Sequence, residues 1–314
     1  VKVAFVGKGG SGKTTCASLF ALRAAAAGAP VLALDADINQ NLAVALGATE
    51  EDAAGLPTLP GHLGLIKEWL RGDNPRIPSA DQMIKTTPPG RGSRLLRVVE
   101  DNPIYDAAVR EVVPGVRVGL AGAFEDADLG VACFHAKTGA VELLLNHLVD
   151  GPGEYVVVDM TAGADAFASG LFTRFDLTFL VCEPTLGSVG VYRQYAGYAR
   201  DFGVRLAVVG NKVADEGDVA FLRDEVGDDL VGVLGHSGHV RAGDRGASRD
   251  VAGLEPDNAA VLDDLRAAVD AVDKDPDRYQ ADAVAMHLRN AGAWAGPALA
   301  DQVDPDFVPA PVTL

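Results

Sequence analysis

Residues 1–15 read VKVAFVGKGGSGKTT, an apolar hexapeptide that runs into a glycine-rich loop ending in Lys13 and Thr14. From Gly7 to Thr14 the loop fits G-x-x-x-x-G-K-[ST], and the stretch SGKTTCASLFALRAAAAG (11–28) is an alanine- and leucine-rich helix closed by Gly28. A strand, a glycine loop and a helix in that order form a cradle for a phosphate group. Backbone N–H groups point inward, glycines permit the tight turn and the close approach, and the helix N-terminus adds the positive end of its dipole. The pattern predicts a right-handed βαβ unit with an anion site at its first turn.

Six further apolar runs follow: PVLALD (30–35), VRVGLA (116–121), EYVVVD (154–159), LTFLVC (177–182), RLAVVG (205–210) and LVGVL (230–234). Runs that stay apolar instead of alternating belong to strands covered on both faces. With helices predicted over 137–149, 188–201, 217–226 and 257–272, the fold class is α/β: a three-layer αβα sandwich on a mostly parallel sheet. The sandwich accounts for residues 1–272, and a helix (281–295) and proline-bearing tail occupy 273–314. Residues 56–105 interrupt the rhythm with seven prolines and the basic residues Lys85, Arg91, Arg94 and Arg97. No self-sufficient core is visible there, so the segment reads as an excursion near the active site and not as a second domain. The basic residues are either a contact for an acidic partner or a solvated face.

Apolar residues make up 48% and charged residues 23%, which excludes a disordered chain. A net charge of -17 disfavours nucleic acid and anionic membranes as general partners. No apolar run approaches the roughly 18–20 residues of a membrane span, nothing resembles a signal peptide, and a cytoplasmic location is expected. Three scattered cysteines fit a reducing compartment, with Cys16 and Cys182 read as small buried hydrophobes.

Around the cradle, Lys13 is expected to reach between the β- and γ-phosphates and Thr14 to offer its hydroxyl to Mg²⁺. Lys8 is a second loop lysine. It would crowd Lys13 over the same phosphate, so it is either donated to a facing copy of the chain or is a solvated surface cation. Asp35 and Asp37 stand at the C-terminal end of the second strand, where doubly wound sheets bind ligands, and Asp159 closes another strand where a carboxylate can hold a Mg²⁺-bound water. Gly163 supplies flexibility to a loop that can sense the γ-phosphate.

Taken together, KGGSGKTT with Lys8, DADINQNL (35–42), VVVDMTAG (156–163) and NKV (211–213) resemble the deviant Walker A ATPases, the broad family of MinD, ParA and the nitrogenase iron protein. The resemblance spans roughly residues 1–270 and is nearest to the subgroup that inserts nickel into carbon monoxide dehydrogenase. It implies ATP and Mg²⁺ as ligands and a homodimer closed by ATP, with Lys8 acting across the interface. Lys13 would be the Walker lysine, Asp37 would orient the attacking water, and Asp35 and Asp159 would organise Mg²⁺ with Thr14. Asn211 would bond the adenine, and Gly9, Gly10, Ser11, Gly12, Thr15 and Lys212 would complete the nucleotide pocket.

Members of the nickel subgroup carry a C-x-C pair in a stretch similar to LGVACFHAKTGAVELLLNHL (129–148), where this chain has Val131 and Cys133. The chain also has Thr161 where the subgroup's switch has a glutamate. Cys133 and His135 form a C-x-H pair instead. In an extended segment both would share a face and could build a Cys₂His₂ site for Zn²⁺ or Ni²⁺ across a two-fold axis. Alternatively, Cys133 packs inside and His135 flanks the next helix. The function expected is a Mg²⁺-dependent, ATP-hydrolysing dimeric switch serving metallocentre maturation or the remodelling of a protein client. A partitioning or positioning ATPase would need a basic surface or a membrane-binding terminus, and a non-hydrolysing scaffold would dimerise without turnover.

Overall fold

The computed structural model describes residues 1–123 and 134–309. Its sheet contains β1 (Lys2–Gly7), β2 (Val31–Ala36), β3 (Val109–Val113), β4 (Val116–Leu120), β5 (Tyr155–Met160), β6 (Leu177–Cys182), β7 (Leu206–Val213) and β8 (Leu230–Gly235). The spatial order is β3-β4-β2-β5-β1-β6-β7-β8, and every neighbouring pair is parallel except β3 with β4. The seven apolar runs are all strands. The eighth, VREVV, was not foreseen because it is an edge strand with Arg110 and Glu111 exposed, and it joins β4 through a tight turn at Pro114-Gly115.

The helices are α1 (Lys13–Ala26), α2 (Leu42–Leu46), α3 (Glu50–Ala54), α4 (Leu63–Arg71), α5 (Pro103–Ala108), α6 (Phe134–Asn146), α7 (Leu186–Asp201), α8 (Glu216–Val226), α9 (Gly238–Gly243), α10 (Pro256–Asp270) and α11 (Pro276–Asn290). Successive strand residues point to opposite faces, so the sheet feeds two cores. Val3, Phe5, Val157 and Phe179 pack with Phe20 of α1, Leu42 of α2 and Leu262 of α10. Ala4, Val6, Val158 and Leu180 pack with Leu144 of α6, Tyr195 of α7 and Leu222 of α8. Helix on sheet on helix is the expected three-layer arrangement. The last predicted helix starts earlier than expected, at Pro276, because Asp275 caps it by accepting from Arg278 N, and it ends at Asn290 in a π turn over Ala291–Ala295.

Residues 56–105 are tightly tied to the body. Ile66, Leu70, Ile77, Met83, Leu96 and Val98 belong to the second core, and Leu96 exchanges backbone bonds with His147 and Val149, each 2.8 Å long. The tail then straps this segment down. Arg91 binds Asp304 through two bonds of 2.8 and 2.9 Å, Thr87 donates to Gln302 at 3.2 Å, and Gln280 donates to the Pro89 carbonyl at 3.1 Å. The four basic residues are not one patch: Lys85 faces Glu142, Arg91 faces Asp304, Arg94 lies over Trp69, and Arg97 binds Glu154. Cys16 and Cys182 are buried, and burial pushes the Cys16 thiol up to about 12. Among the described residues no helix is long and apolar enough to cross a membrane.

Candidate nucleotide and cation site

The crossover from β1 to α1 places the glycine loop at the C-terminal edge of the sheet. Ser11 N donates to Lys8 O at 3.0 Å and closes the turn, and Cys16 N donates to Gly12 O at 2.9 Å and starts the helix. Gly12, the residue before the helix, has φ 93° and supplies no side-chain cap, and the first turn of α1 contains no acidic residue. The N–H groups there are available to an anion. A Cβ on Gly12 would sit 2.2 Å from Asn211 Nδ2, and one on Gly7 would sit 2.6 Å from Val181 O, so both glycines are dictated by close approach.

Three carboxyl groups converge beside the loop. Asp35 of β2 and Asp159 of β5 are partners in the parallel register, and Asp159 also pairs with Phe5 on β1. Adjacent strand ends thus bring together residues separated by more than a hundred positions. Lys13 Nζ reaches Asp37 Oδ2 at 2.6 Å, with both side chains buried. Thr14 Oγ1 donates to Asp159 Oδ2 at 2.5 Å. Asp35 accepts from Leu42 N at 2.8 Å and from Asp37 N at 3.1 Å, which anchors the start of α2 in place of a cap from Asn41. Burial pushes the Asp35 and Asp159 carboxyls well above the usual carboxylate range, and in Asp159 the neighbouring Asp35 charge adds to the effect.

A divalent cation fits this set. Asp159 Oδ1 and Ser11 Oγ are buried without a hydrogen-bond partner, and positive charge there would relieve the crowding of Asp35 and Asp159. Among the described residues no group of three or more His, Cys, Asp or Glu could hold an ion. Coordination would therefore rest on few protein ligands, which suits Mg²⁺: it keeps waters and shares phosphate oxygens instead of taking a full protein cage.

Across the loop, Asn211 Nδ2 donates to Ser11 O at 2.7 Å and Lys212 Nζ donates to Gly10 O at 2.6 Å. Lys212 has φ 59° and also binds Glu183 Oε1 at 2.6 Å, so Glu183 ties the end of β6 to the loop. Gly9 is exposed, and Thr15 is half-buried in the first turn of α1. Lys8 is exposed and, among the described residues, unpaired; its ammonium lies against the start of α7, 3.4 Å from the position a Cβ would take on Gly187. Gln40 was missed by sequence reasoning. It holds φ 49°, donates its amide to the Asp37 carbonyl, and accepts from Gly122 N at 3.0 Å, linking the aspartate turn to the end of β4. Glu183 lies in no motif, and although Gln40 lies within DADINQNL its role depends on Gly122, so only their distant partners reveal what they do.

Cys133 lies outside the described residues. His135 belongs to the first turn of α6, so the extended geometry expected for the C-x-H pair does not hold at His135.

A doubly wound sheet with a lysine-bearing phosphate loop after β1 and aspartates at the ends of β2 and β5 defines a P-loop nucleotide-binding protein. The model of the CobQ/CobB/MinD/ParA nucleotide binding domain matches residues 3–248, and the chain belongs to that family of nucleotide-binding domains. It is 31% identical over 247 residues to the carbon monoxide dehydrogenase accessory protein CooC of Rhodospirillum rubrum, with 78% of this chain and 87% of that protein covered. Two solved structures share the fold. One is a ParA family ATPase from Chlorobium tepidum TLS, with a TM-score of 0.59, 14% identity, and 84% of this chain and 97% of that chain covered. The other is the septum site-determining protein MinD complexed with Mg-ADP from Pyrococcus horikoshii OT3, with a TM-score of 0.55, 17% identity, and 86% and 95% covered.

Proposed function

We propose that the chain is a Mg²⁺-dependent ATPase that closes ATP between two copies of itself and spends the cycle on a protein client, in metallocentre maturation or client remodelling. The observation that carries the dimer is Lys8: an exposed, unpaired cation on the rim of a cradle whose inner cation, Lys13, is already engaged. A lysine so placed can neutralise charge that develops on a phosphoryl group held by the facing copy.

Within one copy, Lys13 exchanges Asp37 for the β- and γ-phosphate oxygens. The released Asp37 carboxylate, still oriented by Asn39 N at 2.9 Å and Asn39 Nδ2 at 3.0 Å, then positions the attacking water. Thr14 and Asp159, with Asp35 behind them, would hold Mg²⁺, which neutralises phosphate charge. Asn211 and Lys212 brace the loop from the base side. Residues 1–272 carry this chemistry, and the chain between Gln280 and Asp304 straps the excursion to it.

Turnover and oligomeric state measured together test the reading. Asp37→Ala is expected to accumulate an ATP-bound dimer without hydrolysis. Lys8→Ala is expected to lose hydrolysis by at least about 10³-fold and to weaken closure, as removal of an arginine finger does; retention of both would refute the assignment across the dimer. A wild type that dimerises with ATP yet never turns it over would identify a nucleotide-gated scaffold instead. The metal cargo, Zn²⁺ or Ni²⁺ held between copies through Cys133 and His135, rests on the sequence alone, because α6 already includes His135 and removes the extended geometry that would put both side chains on one face. Metal content of wild type and Cys133→Ala, with and without ATP, tests it, and no stoichiometric metal under reducing conditions would refute it.

Nucleotide binding should also couple to pH. Asp35 and Asp159 have folded-state pKa values above those of the unfolded chain. Their stabilising contribution is complete below the unfolded carboxylate values and is lost as pH rises through the raised ones. Mg²⁺ brought in with ATP would place positive charge beside these carboxylates and relieve this loss. Thermal melts are therefore expected to show a larger gain from MgATP at about pH 8 than at about pH 5; an equal gain would contradict the buried-carboxylate account.

A further inference from the structure

Beside the segment that follows β5 lies a cavity of about 340 Å³. Its apolar wall is aromatic. Phe167, in the turn Gly163–Ala168, packs against Phe172 with ring centroids 4.6 Å apart, against Tyr195 at 4.4 Å and against Tyr198 at 5.2 Å. Phe167 is only half-buried and Tyr198 is 41% exposed, so the rings are open to a ligand. The polar rim has one sign. Lys85 and Arg289 line the cavity and, among the described residues, no carboxylate does, in a chain with 44 acidic against 27 basic residues.

Both cations keep donor capacity. Arg289, on α11, is exposed and without a partner among the described residues. Lys85 Nζ lies 4.0 Å from the buried Glu142 Oε2, too far for a hydrogen bond. Burial pushes the Glu142 carboxyl up to about 7, which reduces its hold on Lys85. A cationic rim over an aromatic floor fits an anionic segment that carries one apolar side chain. The family match ends at residue 248, so the α11 side of the cavity lies outside the segment shared with the family.

We propose that this cavity docks an acidic segment of the protein client, seating an aromatic or aliphatic side chain against Phe167 and Tyr198 and flanking carboxylates on Lys85 and Arg289. The proposal rests on the client reading above. It also explains how the client is read, because Phe167 stands four residues beyond Gly163, in the segment assigned to γ-phosphate sensing. A shift of this turn with the γ-phosphate would reshape the cavity wall, and by linkage occupancy of the cavity would then favour one nucleotide state.

The test is an NMR titration of the full chain with the peptide Ac-Asp-Phe-Glu-NH₂ and its charge-reversed counterpart Ac-Lys-Phe-Lys-NH₂. The acidic peptide is expected to bind at least about tenfold more tightly, to shift the Ser169, Gly170 and Asn290 amides, and to weaken as salt is raised. Arg289→Glu and Tyr198→Ala, both at exposed positions, are each expected to weaken it, and its affinity should differ between ADP and a non-hydrolysable ATP analogue. Equal affinity for the two peptides, indifference to both variants, or binding of indole-3-propionate without the acidic peptide would overturn the docking site. Equal affinity in the two nucleotide states would overturn its link to the switch. ATP turnover of the same wild-type sample separates the two readings: peptide binding without turnover sinks the ATPase and leaves the docking site, whereas turnover without peptide binding does the reverse.

Discussion

Lys13→Ala is expected to reduce ATP turnover by about 10²–10³-fold, the usual loss when a group that stabilises transition-state charge is removed from a water-poor site. It should also weaken the nucleotide-free fold. Lys13 and Asp37 are bonded at 2.6 Å with side chains only 10% and 4% exposed, so alanine leaves a buried carboxylate without its cation. Breaking a buried pair from one side costs about 3–5 kcal/mol. Here the two bonds from Asn39, which the variant keeps, place the loss at or below the lower end. The double variant Lys13→Ala/Asp37→Ala removes both charges and should recover part of that stability. Denaturant unfolding of the two single variants and the double one measures the coupling; a Lys13→Ala protein as stable as wild type would show that the ion pair does not form in solution.

Gly12→Ala is expected to impair nucleotide binding strongly, through backbone strain and a clash with Asn211. An L-residue held near φ 93° costs about 1–2 kcal/mol. The added methyl would also meet Asn211 Nδ2 at 2.2 Å, an overlap that must push the amide off the Ser11 carbonyl it now binds. Both sides of the pocket then shift together. A displacement of roughly 1 Å at a reacting site costs on the order of 10²-fold in rate. Calorimetric titration with MgATP measures the effect, and Gly10→Ala is the control: that position also has positive φ, 82°, but a Cβ there meets nothing within 4 Å. Equal damage from the two variants would show that strain alone, and not the Asn211 contact, sets the requirement at Gly12.

The chemistry of the cradle was legible because its parts are contiguous. Lys8 to Thr15 lie in one loop and helix start, Asp35 and Asp37 in one strand end, and Asp159 closes an unbroken apolar strand; each can be recognised without knowing what stands opposite. The edge strand β3 was hidden because it is short and its Arg110 and Glu111 face water, which breaks the apolar run. The segment 56–105 was hidden for a different reason. Its proline-rich stretches form little regular structure, and what orders them is held by residues some two hundred positions away: Arg91 by Asp304, Thr87 by Gln302, Thr86 by His287.

By itself, then, the sequence determined a βαβ phosphate loop, seven of the strands, and the lysines and aspartates that surround the loop, because each depends on short-range backbone geometry and on apolar periodicity. Tertiary structure decided everything that requires two distant segments to meet. The parallel register sets Asp159 opposite Asp35 in the sheet interior, where burial raises both carboxyls and makes a cation welcome. It also turned Lys13 toward Asp37, bent Gln40 and Lys212 into left-handed conformations to hold neighbouring loops, and used α11 to complete the cationic rim of the aromatic cavity. Side-chain pairing across long sequence separations leaves no local periodicity, and for that reason only the folded chain displays it.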